Sequence, residues 1–254
     1  MPEPLIKALD LKIHFGGVKA ADGASLDVFN NEHLAIIGPN GAGKTTFLNI
    51  CTGYLKPMEG RVWFDGKEIT NKSPRSITKR GVARTFQIPQ LFLEQTVMEN
   101  VLISISARQG YLTGFTELEK LAEVDEVHSL LDMVGLDDVA DEIAIVLPEG
   151  KRKLLDITLA LALKPKVLLM DEPTSGVSSQ EKFKIMDILV SALEKENITS
   201  VFVEHDMEVV SRYADCVVVW NEGKVQFQGS PDEILKHPEV IEQVVGMDVN
   251  HAAF

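Results

Sequence analysis

The sequence is short of cysteine, basic residues and long apolar runs, and each shortage closes a door. Its two cysteines, Cys51 and Cys216, lie far apart in apolar surroundings. A disulfide framework is therefore excluded, and buried, reduced thiols are expected. The six histidines show no metal-ligand spacing. Lys and Arg total 25 against 38 Asp and Glu, so the formal charge is 25 − 38 = −13, with no basic block. That argues against nucleic acid as a partner. No apolar run approaches the roughly 20 residues that cross a bilayer. Met1-Pro2-Glu3-Pro4 lacks the basic and apolar regions of a secretion signal, so a cytoplasmic location is expected. Repeats and low-complexity stretches are also missing.

What remains is ordinary globular material. The chain has 254 residues, 45% hydrophobic and 25% charged, enough for one large domain or two small ones with a real core.

One stretch stands out, Gly38-Pro39-Asn40-Gly41-Ala42-Gly43-Lys44-Thr45-Thr46. It fits the phosphate-binding pattern G-x-x-x-x-G-K-[ST]. The apolar run Leu34-Ala35-Ile36-Ile37 before it reads as a buried strand, and Phe47, Leu48, Ile50 and Cys51 after it begin a helical pattern. Glycines let the backbone approach phosphate closely, with N–H groups aimed inward at a helix start. Lys44 brings a charge to the β- and γ-phosphates, and Thr45 a hydroxyl to Mg²⁺.

Residues 5–30 alternate in places, with turn signals at Gly16-Gly17 and Asp22-Gly23, as antiparallel strands do. Phe15 ends the first of them. Residues 61–67 read as a strand entering a turn, and residues 82–86 as another strand. From about 96 to 146 the pattern is helical. Leu118, Leu121, Ala122, Val124, Val127, Leu130, Leu131 and Val134 share a face, and Gly135 is the expected stop.

Residues 167–172 form an apolar run that ends in two carboxylates, Asp171 and Glu172, as a buried parallel strand would. Ser178-Ser179-Gln180-Glu181 is a capping box opening a helix. Residues 200–203 are a further strand, ending at Glu204-His205-Asp206. Residues 216–220 and 224–227 read as a hairpin, and a last helix is expected over 231–246. Asp171 fits the carboxylate that holds Mg²⁺ in P-loop NTPases. Glu172 fits either a general base for water or a cap on the turn before Pro173. His205 either contacts the γ-phosphate or is structural.

Together these pieces resemble an ATP-binding cassette (ABC) transporter ATPase subunit. The resemblance rests on residues 38–46, Arg84-Thr85-Phe86-Gln87, residues 168–173 and Glu204-His205-Asp206-Met207, and covers essentially the whole chain. More narrowly, it looks like the ATP-binding subunits of branched-chain amino acid importers, through Phe15-Gly16-Gly17-Val18-Lys19-Ala20, Thr96-Val97-Met98-Glu99-Asn100-Val101 and the terminal helix. The implied fold is α/β, a P-loop cassette with a mixed sheet core, an antiparallel β subdomain and a helical insert. The implied boundaries are a core over about 1–90 and 160–230, a helical subdomain over about 91–159, and an extension over about 231–254.

The resemblance also implies roles. Phe15 stacks on the adenine of ATP. Gln87 contacts Mg²⁺ and water and reports nucleotide state to a membrane partner. Glu172 is the base and His205 the switch histidine. Two cassettes close head to tail over two ATP molecules, beneath membrane-spanning permease subunits supplied by an external solute-binding protein. Amino acid import is the leading expectation. Import of another small polar solute such as urea or an amide, and a soluble non-transport ATPase acting on ribosomes or DNA, are the alternatives. A GTPase or small-molecule kinase is disfavoured, because Pro74 stands where Asn71-Lys72-Ser73 would need an Asp.

Two departures matter. The family's signature, roughly Leu-Ser-x-Gly-Gln, here reads Leu147-Pro148-Glu149-Gly150-Lys151. Proline has neither the hydroxyl nor the N–H to give a phosphate, and Glu149 adds negative charge. Either the following Lys151, Arg152 and Lys153 compensate, or the partner's ATP faces a weak site. Ser178 replaces the family's usual Asp but remains a good N-cap. A heterodimer with one strong and one weak site is expected ahead of a homodimer.

Overall fold

The computed structural model describes residues 2–110 and 124–242. Leu118, Leu121 and Ala122 of the expected insert, and the end of the expected last helix beyond 242, lie outside the described residues. In chain order the strands are β1 (Ile6–Phe15), β2 (Val18–Val28), β3 (His33–Ile37), β4 (Glu59–Phe64), β5 (Lys67–Glu68), β6 (Val82–Thr85), β7 (Val167–Asp171), β8 (Thr199–Val203), β9 (Cys216–Asn221) and β10 (Lys224–Gly229). The helices are α1 (Lys44–Cys51), α2 (Pro74–Thr78), α3 (Val97–Gln109), α4 (Val124–Val134), α5 (Glu149–Ala162), α6 (Ser179–Glu196), α7 (Met207–Tyr213), α8 (Pro231–Ile234) and α9 (Pro238–Val240).

The chain forms two compact units. The described parts of Met1–Ile77, Leu169–Glu172 and Thr199–Phe254 make the first, and those of Thr78–Leu168 and Pro173–Ile198 the second.

In the first unit, β1 pairs antiparallel with β2 and with β4, which pairs with β5. The β1–β2 turn is tight, with Phe15 opposite Val18. Alternation puts Ile6, Ala8, Leu11 and Ile13 inside, as a half-buried strand requires. A second sheet runs β10-β9-β3-β8 and continues into the end of β7. There β3 is parallel to both β8 and β9, while β10 returns antiparallel to β9. Every residue of β3, β7 and β8 is buried, so their unbroken apolar runs reflect cover on both faces. At the tip of β7, the Glu172 N–H donates to Val203 O at 3.0 Å.

The second unit is mainly helical. α3, α4 and α5 pack on one another, and α6 packs on α4 and α5. Thr96 and Ser178 each close a capping box, with Glu99 and Glu181 respectively. Gly135 (φ 69°) ends α4 as expected, and the Leu136 N–H returns to Leu131 O at 2.8 Å. Arg108 of α3 forks onto Glu126 of α4 at 2.9 and 2.8 Å and donates to Ala162 O at 2.7 Å. Lys164 adds a further ion pair to Glu126 at 2.9 Å.

Several expectations need correcting. The stretch 96–146 is not one helical run. α3 stops at Gly110 (φ 82°), and short 3₁₀ turns occupy Asp137–Val139 and Ala144–Val146. Val124 belongs to the exposed side of α4, whereas Val127, Leu131 and Val134 are buried. The helix expected over 231–246 is interrupted before Pro238. His237 is extended (φ −70°, ψ 126°), as a residue before proline tends to be, and proline has no N–H for the preceding turn. Cys216 is only half-buried.

Candidate nucleotide site

The P-loop leaves β3 at Gly38 and enters α1 at Lys44. Its glycines are sterically enforced at two points. A Cβ on Gly38 (φ 147°) would lie 1.9 Å from the Trp220 carbonyl oxygen, and one on Gly43 (φ 110°) 1.8 Å from that of Ala20. Trp220 is fully buried beneath the loop, its ring 5.2 Å from Phe47 of α1. Its indole N–H meets no acceptor among the described residues.

Inside the loop, the Ala42 N–H donates to Pro39 O at 3.2 Å, and the Phe47 N–H to Gly43 O at 3.0 Å. Lys44 is buried, and its ammonium donates to Gly38 O at 2.6 Å and Pro39 O at 2.9 Å. Burial pushes its pKa below the ordinary lysine range, against Glu172 and Asp171, whose charges pull it up.

The tips of neighbouring strands supply the rest. The Thr45 hydroxyl donates to Asp171 Oδ1 at 3.1 Å. Glu172 takes a left-handed backbone, φ 51°, uncommon for a residue with a side chain and concentrated at functional sites. Its Oε1 lies 3.2 Å from Nε2 of His205. The His205 N–H in turn donates to the buried Glu204 carboxylate at 3.1 Å. A cleft of about 220 Å³ opens onto Lys44, Thr45, Thr46, Glu172 and His205, with Phe15 on its wall. Phe15 is 47% exposed, so its ring is no core aromatic. A larger hollow of about 440 Å³, bounded by Lys19, Asn221 and Lys224, touches the loop at Pro39–Ala42 but includes neither Glu172 nor His205.

The first unit thus brings together Phe15, residues 38–46, Asp171, Glu172 and His205. Gln87 and residues 148–150 belong to the second. Gln87 is exposed, in the loop after β6. Pro148 is the N-cap of α5 (φ −57°, ψ 155°) and offers no side-chain cap, and Glu149 is the first helical residue. The three cations that follow are engaged elsewhere. Lys151 reaches Asp138 at 3.3 Å, Arg152 turns back onto Ile145 O, and Lys153 is buried against Gln87 O and Ser175 Oγ. Sequence reading missed Asp156 and Trp220, and took Lys153 for a phosphate-facing cation where it instead holds Gln87 O and Ser175 Oγ. The visible signal was an Asp within Leu154-Leu155-Asp156-Ile157, a carboxylate where the helix should bury its face.

A P-loop with a Thr–Asp pair at its mouth and a Glu–His pair beside it defines a nucleotide-hydrolysing P-loop protein. The particular family follows from comparison. The ABC transporter family matches residues 21–175, and the chain belongs to it as an ATPase. A probable branched-chain amino acid transport ATP-binding protein of Archaeoglobus fulgidus is 35% identical, over 95% of this chain and 95% of that protein. The high-affinity branched-chain amino acid transport ATP-binding protein BraF of Pseudomonas aeruginosa is 33% identical, over 97% and 99%. Among solved structures, the ADP conformation of MJ1267, an ATP-binding cassette of an ABC transporter, superposes with a TM-score of 0.85. It is 33% identical, covering 96% of this chain and all of that one.

Proposed function

We propose that this chain is the ATP-hydrolysing subunit of an importer for branched-chain or related amino acids, held at the inner face of the cell membrane by permease subunits. The observation that carries the reading is the Glu172–His205 contact at 3.2 Å within the cleft that holds Lys44. The solute is supported by full-length relatives named for that transport. No described helix is long and apolar enough to cross a membrane. Exposed Ile88, Phe92 and Leu93, with Ile145 and Val146, give the second unit an apolar surface beside Gln87 suited to a permease. The Ile145 N–H donates to Leu93 O at 3.0 Å, so the two segments are adjacent.

The residues divide the work. Phe15 stacks on adenine. Loop amides, the start of α1 and the Lys44 ammonium hold the phosphates. Glu172 takes the proton of the attacking water as the β–γ phosphoanhydride bond breaks, and His205 orients that carboxylate. The Thr45 and Asp171 oxygens, already converging, are hard donors of the kind Mg²⁺ takes, and Gln87 would complete them. Mg²⁺ would neutralise phosphate charge there.

Pro148 and Glu149 face a partner's ATP in this reading, with the neighbouring cations turned aside. The favoured partner is a different cassette with an ordinary signature. Loss of one phosphate donor costs about 2–4 kcal/mol of transition-state stabilisation, which leaves one strong and one weak site.

The test is Glu172→Gln. Turnover should fall by about 10²- to 10⁴-fold while ATP affinity is retained. Turnover that survives the change would remove Glu172 as the base. Uptake of leucine by the reconstituted complex, absent in the variant, tests the solute.

A further inference from the structure

The loop that carries Gln87 is gripped by one helix. α5 buries two charged residues three positions apart, Lys153 and Asp156. Such charges are tolerated only when paired or hydrogen-bonded, and both find backbone in the same loop. Asp156 Oδ1 accepts from the Gln90 N–H at 3.1 Å, and Oδ2 from the Phe86 N–H at 3.4 Å. The Lys153 ammonium donates to Gln87 O at 3.4 Å and to Ser175 Oγ at 3.3 Å. The bonds fall before, at and after Gln87, so its backbone is held while its side chain stays exposed. The same helix begins with Pro148-Glu149-Gly150.

We propose that Asp156 and Lys153 are positioning residues for Gln87, fixing the 86–90 loop to α5 so that Gln87 and the 148–150 segment move as one body. The proposal rests on the reading of Gln87 as a residue that meets the nucleotide. The chemistry is selective. A carboxylate offers two acceptors and no donor, which suits two converging N–H groups. Asn would keep one of these bonds and turn a donor toward the other, and Leu would keep neither.

The test uses the full chain assembled with its partner subunits. Asp156→Leu should lower kcat by about 10- to 100-fold, the range for residues that orient a functional group, with the Kd for ATP unchanged. Asp156→Asn, which keeps the size of the side chain, should fall between Leu and the parent. A double-mutant cycle decides the route. If Asp156 acts through Gln87, then Gln87→Ala with Asp156→Leu should be no slower than Gln87→Ala alone. Additive losses, or an unchanged kcat in both Asp156 variants, overturn the proposal while leaving Gln87 its role. A normal kcat in Gln87→Ala overturns the reading of Gln87, and the proposal falls with it.

Discussion

Gly43 and Gly41 stand two residues apart in one motif, yet they differ in what they tolerate. A Cβ at Gly43 meets the Ala20 backbone at 1.8 Å, whereas one at Gly41 (φ 79°) meets nothing within 4 Å. Gly41→Ala should therefore cost only the left-handed conformation, about 1–2 kcal/mol. Gly43→Ala must displace β2 or the loop. It should weaken ATP binding far more, read by nucleotide titration of both variants, and equal affinities would refute the steric distinction. The motif marks both glycines alike, so the difference was invisible in the sequence. The grouping of Lys44, Asp171, Glu172 and His205 in one place was legible, because each stands at or just past a strand tip or at a helix start, although Glu172 and His205 took proposed roles only through the family resemblance. Lys153 and Asp156 were not legible. Apart from the Ser175 hydroxyl that Lys153 also reaches, their partners are backbone groups 66 to 70 positions away, and no local pattern encodes such a pairing.

The start of α6 was readable, because the Ser178–Glu181 capping box is written in four consecutive residues. Helix ends and breaks were less so, as the interruption before Pro238 illustrates. Two charged groups of the second unit give opposite pH signatures. Arg108 and Lys164 hold the Glu126 carboxyl down at about 2, its hydrogen bond from Arg108 being the largest cause. A depressed folded pKa contributes stability above the ordinary value near 4.5, lost as pH falls toward 2. Glu126→Gln should thus cost about 1–3 kcal/mol near neutrality and little below pH 2, measured by urea unfolding across that range. Burial instead pushes Asp156 up to about 6, against the Lys153 charge and the two N–H bonds that lower it. A raised carboxyl pKa favours the fold below 3.8, and that advantage is lost as pH rises through about 6. Asp156→Asn should flatten this part of the stability profile. An unaltered profile would show that the carboxylate is better solvated than its burial implies.

At the scale of the whole molecule, charge bears on partnership. Two copies at −13 each repel, and salt screens that repulsion over about 10 Å at 0.1 M. If Glu172→Gln dimerises with itself in ATP, light scattering should show the dimer tightening as salt rises. A monomer that binds ATP yet dimerises only with a second cassette supports the unequal pair. Single-turnover assays that find equal rates at the two sites would refute it. The buried indole of Trp220 beneath Gly38 and Gly43 has a spectroscopic consequence. The chain's other tryptophan is Trp63, so Trp63→Phe leaves one emitter, packed under the phosphate loop and sealed from water. Its emission should be blue-shifted, and any shift of the loop on nucleotide binding should alter it. The nucleotide occupancy of this chain's own site then becomes readable by light alone, without a label.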